Sequence, residues 1–311
     1  MVRKRALATS GSSTLFSELM RPVAILCAMA LELQSFQEQL ELQKEPQCGA
    51  FPCFTGRYAD KQLLLVQTGI GKVHAAAAAQ YVCSRYEPEA MLSCGSAGGL
   101  DERCRVGDIV VALMTVQHDY GFILPEGFVP FWFSILQRNH KRKCFKEFEA
   151  DSCLVKASRK VLKDWSEPPK VFSGRIVSGD QAIFSPRARA RLAEDFKALA
   201  VDMESAAVAQ ICKINMVPFL SIRAVSDDID QSVHVERSNI DPQAFAEFCA
   251  MPECQRLSRP SQMIHYLARH PGRFMPARRA QKNIQLAAEN ATDYTLQLLR
   301  MCDKVEEQPK R

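Results

Sequence analysis

Glu32, Glu204 and Asp227 are three carboxylates set far apart in the chain, each at or just after the end of an apolar run of strand length. Their contexts are Ala28-Met29-Ala30-Leu31-Glu32, Val201-Asp202-Met203-Glu204-Ser205 and Arg223-Ala224-Val225-Ser226-Asp227. A fourth stretch, Gly95-Ser96-Ala97-Gly98-Gly99-Leu100, follows another such run. In an open α/β sheet, ligands bind beyond the carboxyl ends of the strands. Isolated buried acids are costly, so three of them gathered at one sheet edge point to a site. Positioned carboxylates are the side chains of general acid–base chemistry.

Each feature also has a plainer reading. Glu32 suits the exposed first turn of a helix, where the dipole favours an acid. Glu204 suits a helix N-cap, and Asp227 with Asp228 suits a capping pair. The glycine stretch reads as a strand-to-helix turn whose N–H groups face a cavity, a feature that suits anions or oriented water. It lacks the GxGxxG spacing, and Thr68-Gly69-Ile70-Gly71-Lys72 is not a phosphate-binding GxxxxGK[ST] loop.

The elements that must position these residues can be read from periodicity. Val23–Met29 is an apolar run and reads as the first strand, followed by a helix over Leu31–Leu42 with Leu33, Phe36 and Leu40 on one side. Phe51–Arg57 and Gln62–Gln67 read as strands around an Asp-Lys turn. Thr68–Lys72 opens an alanine-rich helix running through Val82, whose small side chains allow close approach to a sheet. Ala90–Cys94, Asp108–Met114, Arg175–Val177, Ala198–Val201 and Phe219–Val225 read as further strands. Lys156–Trp165, Pro186–Phe196 and Glu204–Ile214 read as helices. Strands alternating with helices predict a three-layer α/β/α fold with a mixed, mostly parallel central sheet.

Residues 120–153 break the alternation with a cluster of aromatics, Phe122, Phe128, Phe131, Trp132 and Phe133, followed by a basic stretch. They read as an insertion that serves as a lid, an oligomer contact or core packing. Residues 1–22 read as a disordered basic arm and 23–230 as the catalytic domain. Residues 231–311 read as a helical C-terminal extension, with helices over Pro260–Arg269 and Ala277–Leu299.

The chain has 311 residues, 47% of them hydrophobic, and a net charge of +5. That charge is modest for the length and forms no long basic block, so no nucleic-acid partner is expected. No apolar run reaches the length of a membrane span, so no membrane partner is expected either. The 12 cysteines form no CxxC pair or Cys/His cluster. They read as small buried side chains in the reducing cytoplasm, without disulfides and without a metal.

Taken together, several stretches resemble one family. Glu32, Ser96-Ala97-Gly98-Gly99, Val177-Ser178-Gly179-Asp180, Met203-Glu204 and Ser226-Asp227 stand in the order seen in 5′-methylthioadenosine/S-adenosylhomocysteine nucleosidases. Thr68–Val73 and Val106–Val111 add lesser matches. The resemblance to this branch of the nucleoside phosphorylase superfamily runs from about Val23 to Asp230. It implies a nucleoside phosphorylase-like fold and hydrolysis of the N-glycosidic bond of a 5′-modified adenosine, with no cofactor. By the same resemblance Asp227 protonates the purine and Glu32 acts on the water. Glu204 holds the ribose hydroxyls and Met203 packs on the sugar, while Met29, Ser96, Ala97, Gly98, Ile183 and Ser226 complete the substrate pocket. The family also implies a homodimer whose neighbouring subunit closes the 5′ end.

Two alternatives remain at this level: a phosphorylase of the same fold and a non-catalytic nucleoside-binding protein. The uridine-type phosphorylase pattern has arginine where this chain has Ser93, and Gly-Asp-Pro-x-Arg where it has Ala28–Glu32. A phosphate dianion is poorly held without those guanidiniums, which favours water as nucleophile. Retention of all three carboxylates disfavours a mere binder. The nucleosidases carry an aromatic residue two positions after Ser-Gly-Asp; here that residue is Ala182, with Phe184 two further on. His118, in Gln117-His118-Asp119-Tyr120-Gly121, is a further candidate contact.

Overall fold

The computed structural model describes residues 21–46, 48–125, 127–164, 169–228 and 274–302. Most of the N-terminal arm and the helix expected over Pro260–Arg269 lie outside the described residues. A large mixed sheet dominates. Its first strand, β1 (Val23–Cys27), is buried along its whole length, as expected of a central strand covered on both faces. Val23, Ile25 and Cys27 enter one core while Ala24 and Leu26 enter another, the period-two alternation of a strand.

The helix α1 (Ala30–Gln37) follows, then β2 (Leu42–Lys44), β3 (Cys53–Tyr58) and β4 (Lys61–Gln67). Ala59 and Asp60 turn β3 into β4, and Thr68–Gly71 lead from β4 to the next helix, both as expected. Gly69 and Gly71 have φ of 87° and 97°, left-handed values that favour glycine. From Gly71 runs α2 (Lys72–Tyr86), which packs Ala75, Ala78 and Ala79 against the sheet.

The next strand corrects an expectation. β5 spans Ala90–Gly99, so the glycine stretch is not a turn but the second half of a long strand. Its two edges serve three neighbours, because β1 takes the first half of one edge and another strand takes the glycine end. β5 pairs with β1, with β13 (Ala198–Asp202) and with β14 (Phe219–Asp227). β14 also pairs with β6 (Ile109–Gln117), β6 with β12 (Val171–Ser178), and β12 with β13. These pairings close part of the sheet on itself. Ala97, Cys104, Val110, Ala112, Ile176, Ala200 and Val225 cluster together within that closed part.

Residues 121–149 form two hairpins and a short strand: β7 (Gly121–Leu124) with β8 (Gly127–Pro130), β9 (Phe133–Leu136) with β10 (Arg142–Phe145), and β11 (Phe148–Glu149) against β6. Phe133, Ile135 and Phe148 are core residues, whereas Phe122, Phe131 and Trp132 stay exposed. The remaining helices are α3 (Ser152–Asp164), α4 (Pro186–Phe196), α5 (Ser205–Asn215) and α6 (Phe274–Met301). Residues of α1, α3 and α6 share one core cluster, and those of α2 and α5 share another. Ala287, Ala291, Tyr294 and Leu298 give α6 a buried stripe at helical spacing. The Tyr294 hydroxyl donates to the Ser158 carbonyl at 2.9 Å, tying α6 to α3.

Cys48 and Cys53 are joined by a disulfide, contrary to the expectation of none. They flank a turn that brings their Cα atoms to 5.8 Å, within bridging range, a proximity that their spacing alone does not reveal. Cys27, Cys83, Cys94, Cys104 and Cys212 are free and buried. Among the described residues, no helix is long and apolar enough to cross a membrane.

Candidate active site

Glu32 sits in the first turn of α1, and its carboxylate folds back over the end of β1. Oε2 accepts the N–H of Ala28 at 2.9 Å and of Met29 at 3.1 Å. Oε1 accepts the Ser96 N–H at 2.8 Å and the Ser96 hydroxyl at 3.0 Å. The residue is 2% exposed, so the reading as a solvated helix turn does not hold. Charge-assisted bonds of this kind fix the carboxylate in place.

Gly95 makes that position possible. A methyl group there would stand 2.4 Å from Glu32 Oε1 and 2.7 Å from Arg223 Nη1. Arg223 is 1% exposed within β14. Its Nε lies 2.8 Å from Asp202 Oδ2, and its Nη2 lies 3.5 Å from Glu204 Oε2 and donates to the Ser93 hydroxyl at 2.9 Å. Burial works against its charge, but Asp202, Glu204 and Glu32 outweigh it and hold the guanidinium above its ordinary pKa. Asp202 is further fixed by the Ser178 hydroxyl at 2.5 Å and by the Ser205 hydroxyl. Ser93, set against the arginine of the uridine-type pattern above, is therefore a buried support for Arg223.

Glu204 caps the start of α5. Its Oε1 accepts the N–H of Gly71 at 2.9 Å, which links the Thr68–Lys72 turn to the site. Burial pushes its carboxyl up to about 7, partly opposed by Arg223. Asp227 closes the opposite side at the end of β14. The pairing register with β5 shifts between Val225 and Asp227, an irregularity of the kind that re-aims side chains beside sites. Asp227 Oδ1 accepts the Ser226 hydroxyl at 2.7 Å, and Oδ2 accepts a bond from Arg189 Nη2.

One cavity of about 210 Å³ collects these groups. All ten residues expected from the sequence line it: Met29, Glu32, Ser96, Ala97, Gly98, Ile183, Met203, Glu204, Ser226 and Asp227. Ala182 and Phe184 line it too, so the wall beyond Ser178-Gly179-Asp180 carries a small residue followed by a half-exposed aromatic. His118 is not among the lining residues. It is buried against Gly179, where an added methyl group would stand 2.3 Å from its Nε2. Burial holds its imidazole below the ordinary pKa. No described residue of 120–153 lines the cavity. Phe128 packs into the same small cluster as Ile183, Leu192 and Ala193. Among the described residues, no group of three or more His, Cys, Asp or Glu side chains is placed to hold a metal ion.

Three charged residues at the site escaped the sequence reading. Arg223 had a signal, a lone charge inside the apolar run Phe219–Val225, since a buried charge demands a partner. Asp202 lay beside the Met203-Glu204 pair but carried no distinguishing mark. Arg189 had none either: with Arg187 and Arg191 on the same helix it reads as solvated, yet it is 2% exposed.

The geometry can be set beside known proteins. The family model described as the phosphorylase superfamily matches residues 22–251. The chain is 34% identical to the 5′-methylthioadenosine/S-adenosylhomocysteine nucleosidase of Staphylococcus saprophyticus over 212 residues, 66% of this chain and 84% of that protein. It is 33% identical to the nucleosidase of the same name from Bacillus thuringiensis over 234 residues, 74% of this chain and 93% of that one. The crystal structure of the Neisseria meningitidis nucleosidase in complex with methylthio-immucillin-A superposes with a TM-score of 0.66 at 25% identity, covering 90% of this chain and 99% of that one. A nucleoside phosphorylase-like α/β sheet, a cavity lined by every expected residue and these relatives converge, and the chain belongs to the phosphorylase superfamily.

Proposed function

We propose that the chain hydrolyses the N-glycosidic bond of a 5′-modified adenosine such as 5′-methylthioadenosine or S-adenosylhomocysteine, releasing free adenine. The observation that carries this reading is the position of Glu32. Its carboxylate takes the Ser96 N–H and hydroxyl, donors that a phosphate would otherwise need. An anion fixed there repels a phosphate dianion and suits a neutral water. The arginines of the site support the same reading, because Arg223 is tied to Asp202 and Glu204, and Arg189 to Asp227.

In this mechanism Glu32 orients the water and takes its proton as the oxygen attacks the anomeric carbon. The bond to N9 of the purine breaks, and Asp227 gives its proton to N7. Glu204 accepts hydrogen bonds from the ribose hydroxyls, with Met203 against the sugar face. Ser226 holds Asp227 at 2.7 Å, while Met29, Ser96, Ala97, Gly98 and Ile183 shape the walls. The scaffold is read as three layers, with 23–230 as the catalytic unit, 120–153 inserted in it and 231–311 as its C-terminal extension. The protein is read as a cytoplasmic homodimer. Ile70, which lines the cavity and is 46% exposed, and Val73, 77% exposed, are apolar groups that a second subunit would cover.

The test is base release from 5′-methylthioadenosine in phosphate-free buffer. Adenine and a free reducing sugar are expected. A requirement for phosphate, with a sugar 1-phosphate as product, would overturn the reading in favour of phosphorolysis.

A further inference from the structure

Arg189 is a buried charge at the site whose contacts go beyond support. It is 2% exposed, on α4. Its Nε donates to the Ile183 carbonyl at 2.8 Å, on the segment that lines the cavity beyond Gly179. Its Nη1 donates to the carbonyls of Asp227 at 3.1 Å, Asp228 at 3.3 Å and Gly99 at 3.4 Å. Its Nη2 donates to Asp227 Oδ2. One guanidinium thus joins the cavity wall at Ile183, the end of β5 and the end of β14. It makes its ion pair with the carboxyl assigned to protonate the purine.

Carbonyl contacts alone would make Arg189 a strut. The contact to Oδ2 adds a chemical consequence. Arginine keeps its charge throughout, because its guanidinium does not give up a proton in proteins. When Asp227 is protonated, the partners of the buried cation among the described residues are neutral carbonyl oxygens and a neutral acid. When the proton passes to N7, a carboxylate forms against a guanidinium that is itself buried. A fixed charge aimed at a developing opposite charge stabilises the transition state more than the ground state.

Resting on the nucleosidase reading above, we propose that Arg189 is a positioning residue for Asp227, holding the acid at the purine and stabilising the carboxylate left when the proton leaves. The proton moves from Asp227 to N7, the electron pair of the C–N9 bond passes to the purine, and Arg189 neither gains nor loses a proton.

The experiment compares wild type, Arg189→Met and Arg189→Lys on two substrates. One is 5′-methylthioadenosine, whose purine must be protonated to leave. The other is the 4-nitrophenyl glycoside of 5-methylthioribose, whose phenolate leaves without a proton. Arg189→Met is expected to lower kcat on the nucleoside by about 10²-fold, with KM changed less than about threefold, as expected for a transition-state interaction. Cleavage of the nitrophenyl glycoside is expected to stay within about threefold of wild type, which also reports an intact site. Arg189→Lys, which keeps a charge but loses the fork, is expected to lie between the two, and it carries the comparison if the methionine variant does not fold. Equal losses on both substrates, a loss confined to KM, or no loss would overturn the proposal. If wild type leaves the nitrophenyl glycoside intact, the split between kcat and KM on the nucleoside decides. Failure of wild type to release adenine at all would instead refute the nucleosidase reading, and this proposal with it.

Discussion

Glu32 and Arg223 meet over Gly95: the position of a methyl group on that glycine is 2.4 Å from the carboxylate oxygen and 2.7 Å from the guanidinium. A contact under 3 Å cannot be tolerated without movement, and neither neighbour is free to move. Glu32 is held by Ala28, Met29 and Ser96, and Arg223 by Asp202 and Ser93. Gly95→Ala is therefore expected to displace Glu32. A displacement of about 1 Å costs on the order of 10²-fold in rate, and overpacking costs about 1–3 kcal/mol of stability. Turnover and urea denaturation of the variant measure both. Wild-type turnover would mean that Glu32 need not sit where it does.

Glu32→Gln and Asp227→Asn preserve shape and remove one carboxylate each. Loss of a general acid or base is expected to lower kcat by at least about 10²-fold, while substrate binding measured by calorimetry persists. Near-normal turnover in either variant removes that residue from the mechanism.

Glu204 links stability to pH. Its carboxyl is raised from an ordinary 4.5 to about 7, with burial as the leading cause. Below pH 4.5 the folded and unfolded chains both hold the proton, and the contribution to stability is fully present. Between 4.5 and about 7 the unfolded chain loses the proton first, so the contribution declines as pH rises, and it is flat above that window. Glu204→Gln cannot titrate. Its Tm relative to wild type is expected to rise by at least about 2 °C across this window and then level off. A difference independent of pH would show that the carboxylate is accommodated without cost.

The exposed pair Phe131 and Trp132 tests the role of 120–153. No described residue of this segment lines the cavity within the chain. Any effect on substrate choice must then pass through Phe128, which packs in the cluster of Ile183, or through a second subunit. Replacing both Phe131 and Trp132 with alanine is expected to change relative kcat/KM among 5′-substituted adenosines while thermal stability is kept. If sedimentation shows only a change in subunit association, the segment is an interface without a part in specificity.

Much of the site was legible because its chemistry is written in local contexts. Glu32, Met203-Glu204 and Ser226-Asp227 stand at strand ends that apolar runs reveal, and their resemblance to the nucleosidase motifs is what pointed to a nucleoside. Arg189 was illegible for a physical reason. A helical arginine between Arg187 and Arg191 resembles a solvated one until the fold supplies Ile183, Gly99 and Asp227 around it. The glycine stretch misled because glycine permits both turn and strand. What decided was pairing of Ser96, Ala97 and Gly98 with β14 and of Gly98 and Gly99 with β13.

The sequence by itself determined the alternation of strands and helices and marked the carboxylates at strand ends that line the cavity, since periodicity and residue type are local properties. The tertiary structure alone decided that part of the sheet closes on itself, that α6 packs into the same core as β1, and that Cys48 meets Cys53. It also decided the partners: Arg223 for Asp202 and Glu204, and Arg189 for Asp227. Apart from the disulfide, whose cysteines are 5 positions apart, these contacts join residues distant in sequence. They depend on strand order and register, which side-chain periodicity does not encode.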